Sequence, residues 1–210
     1  MRKLLRPSRV WLILAILYGA FFYWYTSFGG PLTPEEVDRY VALMERGNWS
    51  PEDITVVREF LEADTGDDFV MVNVIEFNDQ PARIEGAPRG ATASDLMNLY
   101  MEHMWPALLA RACHPVLVGQ AASLALDIWG LDGAERWSEA GLIRYRSRRD
   151  LIQIALNPEF AGRHEFKLGA IAKTVAFPID PWFQLGDPRL VLALVFLVLG
   201  FASQSFYHER

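Results

Sequence analysis

Phe69-Val-Met-Val-Asn-Val-Ile-Glu-Phe77 is the stretch on which the fold turns. Its β-branched and aromatic residues, bounded by Gly66-Asp67-Asp68 and Asn78-Asp79, predict a strand and not a helix. Alternation puts Val70, Val72 and Val74 on one face and Phe69, Met71, Asn73, Ile75 and Phe77 on the other. Both faces are apolar, so the strand belongs inside a sheet that is covered on both sides.

Toward the C-terminus, residues 78–92 form a loop rich in Gly, Pro and charge, long enough to be functional. A helix follows from about residue 94 to 113, carrying Leu96, Leu99, Tyr100, His103, Met104, Ala107 and Leu108 on one stripe, with Pro106 bending it. Residues 116–120 and 125–129 read as one strand with a bulge around Ser123, and residues 137–145 as the next. Ser147 caps a helix to about residue 156. Asn157-Pro158-Glu159 starts another, with Phe160, His164, Leu168 and Ile171 on one side. Residues 174–179 close as a last strand. The order β-α-β-β-α-β predicts an α+β domain of ferredoxin-like type over residues 67–180, an antiparallel four-stranded sheet with helices on one face. The bare face calls for a partner sheet, most simply a second copy, with a ligand cavity between protomers.

Toward the N-terminus, Thr33-Pro34-Glu35-Glu36 and Ser50-Pro51-Glu52-Asp53 each combine a cap, a proline at the first helical position and an acid three residues after the cap. They open two short helices within residues 31–66, turned at Gly47-Asn48. Val37, Tyr40, Val41 and Met44, then Ile54, Val57, Phe60 and Leu61, keep helical spacing.

The two ends are of another kind. Residues 10–28 contain no charge, and 19 such positions make about 28 Å of helix, close to the ~30 Å hydrocarbon thickness of a bilayer. A transmembrane helix is expected at 10–29, with Phe21 to Tyr25 as its aromatic belt. Residues 190–206 are also uncharged, but 17 positions span only about 25 Å, so the second transmembrane helix (188–207) needs Tyr207 and a thinned bilayer. Trp182 and Phe183 extend the belt, and Ser203, Gln204 and Ser205 offer hydrogen bonds to a neighbouring helix. Arg2, Lys3, Arg6 and Arg9, in a basic tail over residues 1–9, favour a cytoplasmic N-terminus. The expected topology is a two-pass inner-membrane protein with both termini inside and its soluble domain in the periplasm. The alternatives are a cleaved signal peptide ending near Ser27-Phe28-Gly29, and a buried core helix at the C-terminus.

Setting aside those four basic residues and the pair Glu209/Arg210 leaves 15 basic and 25 acidic residues, a net charge of −10 against −6 for all 210 residues. Such a domain repels nucleic acid. A single cysteine, Cys113, excludes an internal disulfide and has no activating neighbour beyond His114. Nucleophile elbows, phosphate loops, paired zinc ligands and nucleic-acid signatures are all missing from the sequence.

Three segments carry a resemblance: Asp68 through Phe77, then Trp137-Ser-Glu-Ala-Gly-Leu-Ile-Arg-Tyr-Arg-Ser-Arg148, then Asn157-Pro-Glu-Phe-Ala-Gly-Arg-His164 on to Ala176. Together they resemble the dimeric α/β-barrel family called domain of unknown function 1330, over roughly residues 68–179. The resemblance implies a ferredoxin-like protomer that pairs sheet to sheet, and no particular activity. This chain departs from the family in its membrane anchors and in Arg146, where relatives often have proline. Related barrels include haem-degrading and quinol monooxygenases. Asn73 matches an asparagine that sits at the cofactor there, and His164, after Pro158-Glu-Phe160, resembles their iron-holding histidine.

Read from the residues alone, Asn73 is a polar side chain on an apolar strand face, either ligand-binding or satisfied by backbone. His164 faces the sheet as a base, a haem ligand or a core histidine. Tyr100 and His103 share a stripe without metal spacing, and Trp137 and Tyr145 complete the candidate ligand-binding set. Arg144, Arg146, Arg148 and Arg149 surround a helix start, as an anion site or as salt bridges to Glu139 or Asp150. The expected function is a membrane-anchored module that binds a small hydrophobic ligand or a membrane-protein partner. The alternative is a haem- or quinone-type oxidoreductase using Asn73 and His164.

Overall fold

The computed structural model describes residues 6–158 and 163–208. Arg2, Lys3, Phe160 and the last two residues, which the sequence reading used, lie outside them. The chain divides into two compact units, Met1–Phe28 with Pro181–Arg210, and Gly29–Asp180.

In the first unit α1 (Pro7–Tyr25) and α7 (Pro188–His208) are long and apolar enough to cross a membrane, with mean hydropathies of 1.2 and 2.0. They pack antiparallel. Trp11 meets Phe201 edge-on at 5.4 Å, Tyr18 meets Phe196 at 6.5 Å, and the Tyr18 hydroxyl donates to the Arg189 carbonyl at 3.2 Å. Gly200 is required because the Trp11 indole fills the space a Cβ would take.

α1 is bounded differently from the sequence reading, which placed it at 10–29, while α7 starts at the expected residue 188. α1 ends at Tyr25 because Thr26 turns extended, at φ −100° and ψ 139°. α7 starts two residues before the charge-free run, because Asp187 holds Arg189 at 2.6 Å and its guanidinium lies 5.4 Å from the Tyr25 ring centre. Its 21 residues make about 32 Å of helix. Ser203 and Ser205 donate to Gly200 and Phe201 of their own helix, not to a neighbouring one.

The second unit is a mixed α+β structure, and among the described residues the chain has seven helices and one four-stranded antiparallel sheet. α2 (Pro34–Arg46) carries the full Thr33–Glu36 capping box and α3 (Pro51–Glu62) the Ser50–Asp53 cap. Val37, Tyr40, Val41, Met44 and Leu61 form one core cluster with Ile152 of α5 (Arg148–Ala155).

β1 (Phe69–Phe77) is central, between β3 (Glu139–Tyr145) and β4 (Ile171–Ile179), with β2 (His114–Gln120) outside β3. The register pairs Asn73 with Gly141 on one side and Ala176 on the other. α4 (Ala93–Ala110) begins at a capping box of Thr92 and Asp95 and contains Pro106. It ends where Ala112 takes a left-handed φ of 55°. Leu96 packs with Phe166 and Ala170 of α6 (His164–Ala170), while Met104 and Leu108 pack with Cys113 and Ile154. The loop of residues 78–92 is seated on this core through Ile84, Ala87 and Ala91.

Three expectations fail here. Residues 125–129 are not a strand. Their alternation finds no partner beyond the Ala125 amide on the Glu135 carbonyl at 2.9 Å, and Trp129 is 99% exposed. The irregularity in β2 lies between Pro115 and Leu117, not at Ser123, since proline cannot donate to the ladder. α6 turns Phe166 and Ala170 inward, so Leu168 is 65% exposed and Ile171 already belongs to β4.

Candidate functional site

Alternation on β1 directs Asn73 and Ile75 toward α4, and the register brings Gly141, Ile143 and Tyr145 of β3 to the same face. Between this face and α4 lies a cavity of about 170 Å³. Its walls are mostly apolar, with Met97, Met101, Met104 and Trp105 from the helix and Val118 from β2. Five polar groups reach it: Asn73, Tyr100, Glu139, Tyr145 and Lys167. The cavity is formed within one chain. Asn73 sits on the helix-covered face of the sheet.

Asn73 Nδ2 donates to the carbonyls of Met71 at 3.1 Å and Gly141 at 3.3 Å. The amide is thereby fixed in orientation by backbone while the residue still lines the cavity. Tyr145 stacks on Phe69 at 5.4 Å and 11°, and burial pushes its phenol upward, as it does that of Tyr100. Burial raises the Glu139 carboxyl above the ordinary carboxylate range and lowers the Lys167 ammonium below its ordinary value. Both changes favour the uncharged forms, as expected where water is displaced by thioether and ring surface.

Three of the six sequence candidates, Asn73, Tyr100 and Tyr145, therefore meet at one cavity. The other three do not line it. His164 stands at the start of α6 with its ring edge-on to Tyr100 at 6.4 Å. His103 is half-buried, its Nδ1 without a partner among the described residues. Trp137 precedes β3 and lies under the Lys173 ammonium at 4.5 Å. Glu139 and Lys167 were missed as site residues. Alternation back from Tyr145 puts Glu139 on the cavity face and was the available signal; Lys167 had none, because α6 was read in the wrong phase.

The arginine cluster is a set of ion pairs, and Glu139 is not among the partners. Arg144 bonds Asp68 at 2.7 Å, Arg146 bonds Asp150 at 2.8 Å, and Arg149 bonds Glu36 at 3.0 Å, while Arg148 stands 3.7 Å from Asp64. No group of His, Cys, Asp and Glu among the described residues could hold a metal ion. Haem does not fit: a dry cavity of ~150 Å³ accommodates benzene, this one has about 170 Å³, and His164 is outside its lining.

No family model matches the chain, and neither does any curated protein. Among solved structures it is similar to a protein of unknown function from Rhodopseudomonas palustris, at 16% identity and a TM-score of 0.52, covering 65% of this chain and 97% of that one. A methylated form of that protein gives 17% identity and a TM-score of 0.51, covering 67% and 96%. An Arabidopsis thaliana protein matches at 14% identity over 55% of this chain and 97% of its own, with a TM-score of 0.34. At these identities the first two likenesses concern the fold alone, and the third carries no argument.

Proposed function

We propose that this chain is a membrane-tethered binding module whose ferredoxin-like domain holds a small, largely apolar ligand between α4 and the sheet. The observation that carries the reading is the cavity itself. It has the volume of one ring, walls of methionine and aromatic side chains that adapt to a guest, and a few polar groups to orient it. Thermal unfolding of the full chain in nanodiscs with and without saturating toluene tests it. A Cβ at Gly141 would meet nothing closer than Val118 at 3.9 Å, so Gly141→Val fills the cavity without a backbone clash. Toluene raises the melting temperature of the native chain and not of Gly141→Val. An equal shift in both, or a Soret band on adding haem, overturns the reading.

The tether is supported by the two long apolar helices, with only 6% of each candidate span buried. With the basic N-terminal tail inside, α1 and α7 cross in opposite senses and the domain is periplasmic. Reporter fusions at Ala91 and after Arg210 test this, and a cytoplasmic Ala91 refutes it. The sheet face away from α4 bears Leu117, Val175, Phe177 and Ile179, all exposed. Pairing two such faces removes on the order of 1,500 Å² from water, enough for a stable homodimer of the α/β-barrel kind that the domain of unknown function 1330 resemblance implies. Light scattering of the full chain in detergent gives the mass; a monomer removes the dimer.

A further inference from the structure

We propose that the cavity takes a single-ring aromatic acid carrying a hydrogen-bond donor across the ring, its carboxylate on the Lys167 ammonium and its donor on Glu139. This rests on the reading of the cavity as a ligand site and names the chemical class that site selects.

Lys167 is the only basic residue in the lining, and it has no carboxylate partner among the described residues. The arginines nearby are already committed: Arg111 and Arg146 to Asp150, Arg144 to Asp68. Lys167 instead lies 5.8 Å from the centre of the Tyr100 ring, a weak neighbour for a cation. An ammonium facing thioether and ring surface without a counterion is costly, and an entering acid supplies the missing charge.

Glu139 reaches the same cavity from β3, yet it forms no ion pair with Lys167. Two opposite groups that line one small space without closing on each other leave room for a molecule that touches both. Asn73 adds a third contact. Its amide nitrogen is used by two backbone carbonyls, so Oδ1 is turned to accept. A volume close to that of a benzene-sized cavity limits the guest to one ring with short substituents.

The test is calorimetry on the full chain in nanodiscs of neutral lipid, with 4-hydroxybenzoate, benzoate and the uncharged isostere 4-hydroxybenzyl alcohol as probes. The expected order is 4-hydroxybenzoate first, with a preference of about tenfold or more over the alcohol. Lys167→Met removes that preference while the alcohol binds as before, and Glu139→Gln weakens 4-hydroxybenzoate more than benzoate. Melting curves of both variants show that they fold. Equal binding of acid and alcohol, or an unchanged preference in Lys167→Met, overturns the inference and leaves the apolar ligand site standing. If none of the probes binds and toluene fails as well, both fall together.

Discussion

The base of the domain and the cavity beneath α4 use the same ionisable side chains in opposite ways. At the base, carboxylates are matched to arginines: Glu36 receives Arg149 in a two-pronged contact, at 3.0 Å on each oxygen. That bond, with the Thr33 amide, pulls its carboxyl down to about 2. In the cavity Glu139 has no cation and Lys167 no anion among the described residues, and burial pushes the carboxyl up and the ammonium down. Paired charges tie α2 to α5, whereas Glu139 and Lys167 have no ion-pair partner among the described residues.

The strongest way to break this contrast is at Arg144, only 1% exposed, which bonds Asp68 at 2.7 Å and the Ala112 carbonyl at 2.8 Å. Arg144→Ala strands both partners and should cost about 3–5 kcal/mol in a denaturant melt, and Arg144→Met, which strands the same two, should recover only the lost packing. Glu36→Gln comes next, at about 1–2 kcal/mol. The native carboxyl is depressed, so its contribution is complete above the unfolded value near 4.5 and is lost as the pH falls toward 2. Melts of wild type and variant should therefore converge at the acid end; a constant gap would remove the ion pair as the cause.

Lys167→Met sharpens the comparison by changing sign. Removing a buried, unpaired ammonium should stabilise the chain by up to about 1 kcal/mol at neutral pH. The advantage fades as the pH rises toward the ordinary lysine value of ~10.4, above which the amine is neutral in both states. Destabilisation instead would mean that Lys167 has a structural partner. Cys113 shows the smallest effect. It lies beside Arg144 and Arg146, yet burial outweighs them and its thiol is raised to about 11. Native protein should resist iodoacetamide at pH 8 and react only once unfolded, as mass spectrometry would show.

What was legible in the sequence was local. The caps at Thr33 and Ser50, the alternation of β1 and the stripe of α4 depend on neighbours a few residues away. Asn73 stood out for the same reason, a polar group within an apolar strand. Residues 125–129 mislead because Ala125, Asp127 and Trp129 alternate with Leu124, Leu126 and Ile128 as a strand would, but a strand exists only if another pairs with it. Gly130 and Gly133, at φ 71° and 70°, turn the chain instead. Glu139 and Lys167 look like surface residues in sequence. Alternation could have placed Glu139 on its face, but that α4 and α6 cover the face, and Lys167 with it, is a long-range fact that no window along the chain contains.

Pro106 brings time into the picture. It sits in α4 beside the cavity-lining Trp105 and supplies no amide to the Glu102 carbonyl, so the helix lacks a rung where it forms the cavity wall. A turn held by one hydrogen bond fewer is the most readily deformed stretch of this wall. Hydrogen exchange along α4 should therefore be fastest around Pro106, on a clock that the rest of the helix does not share.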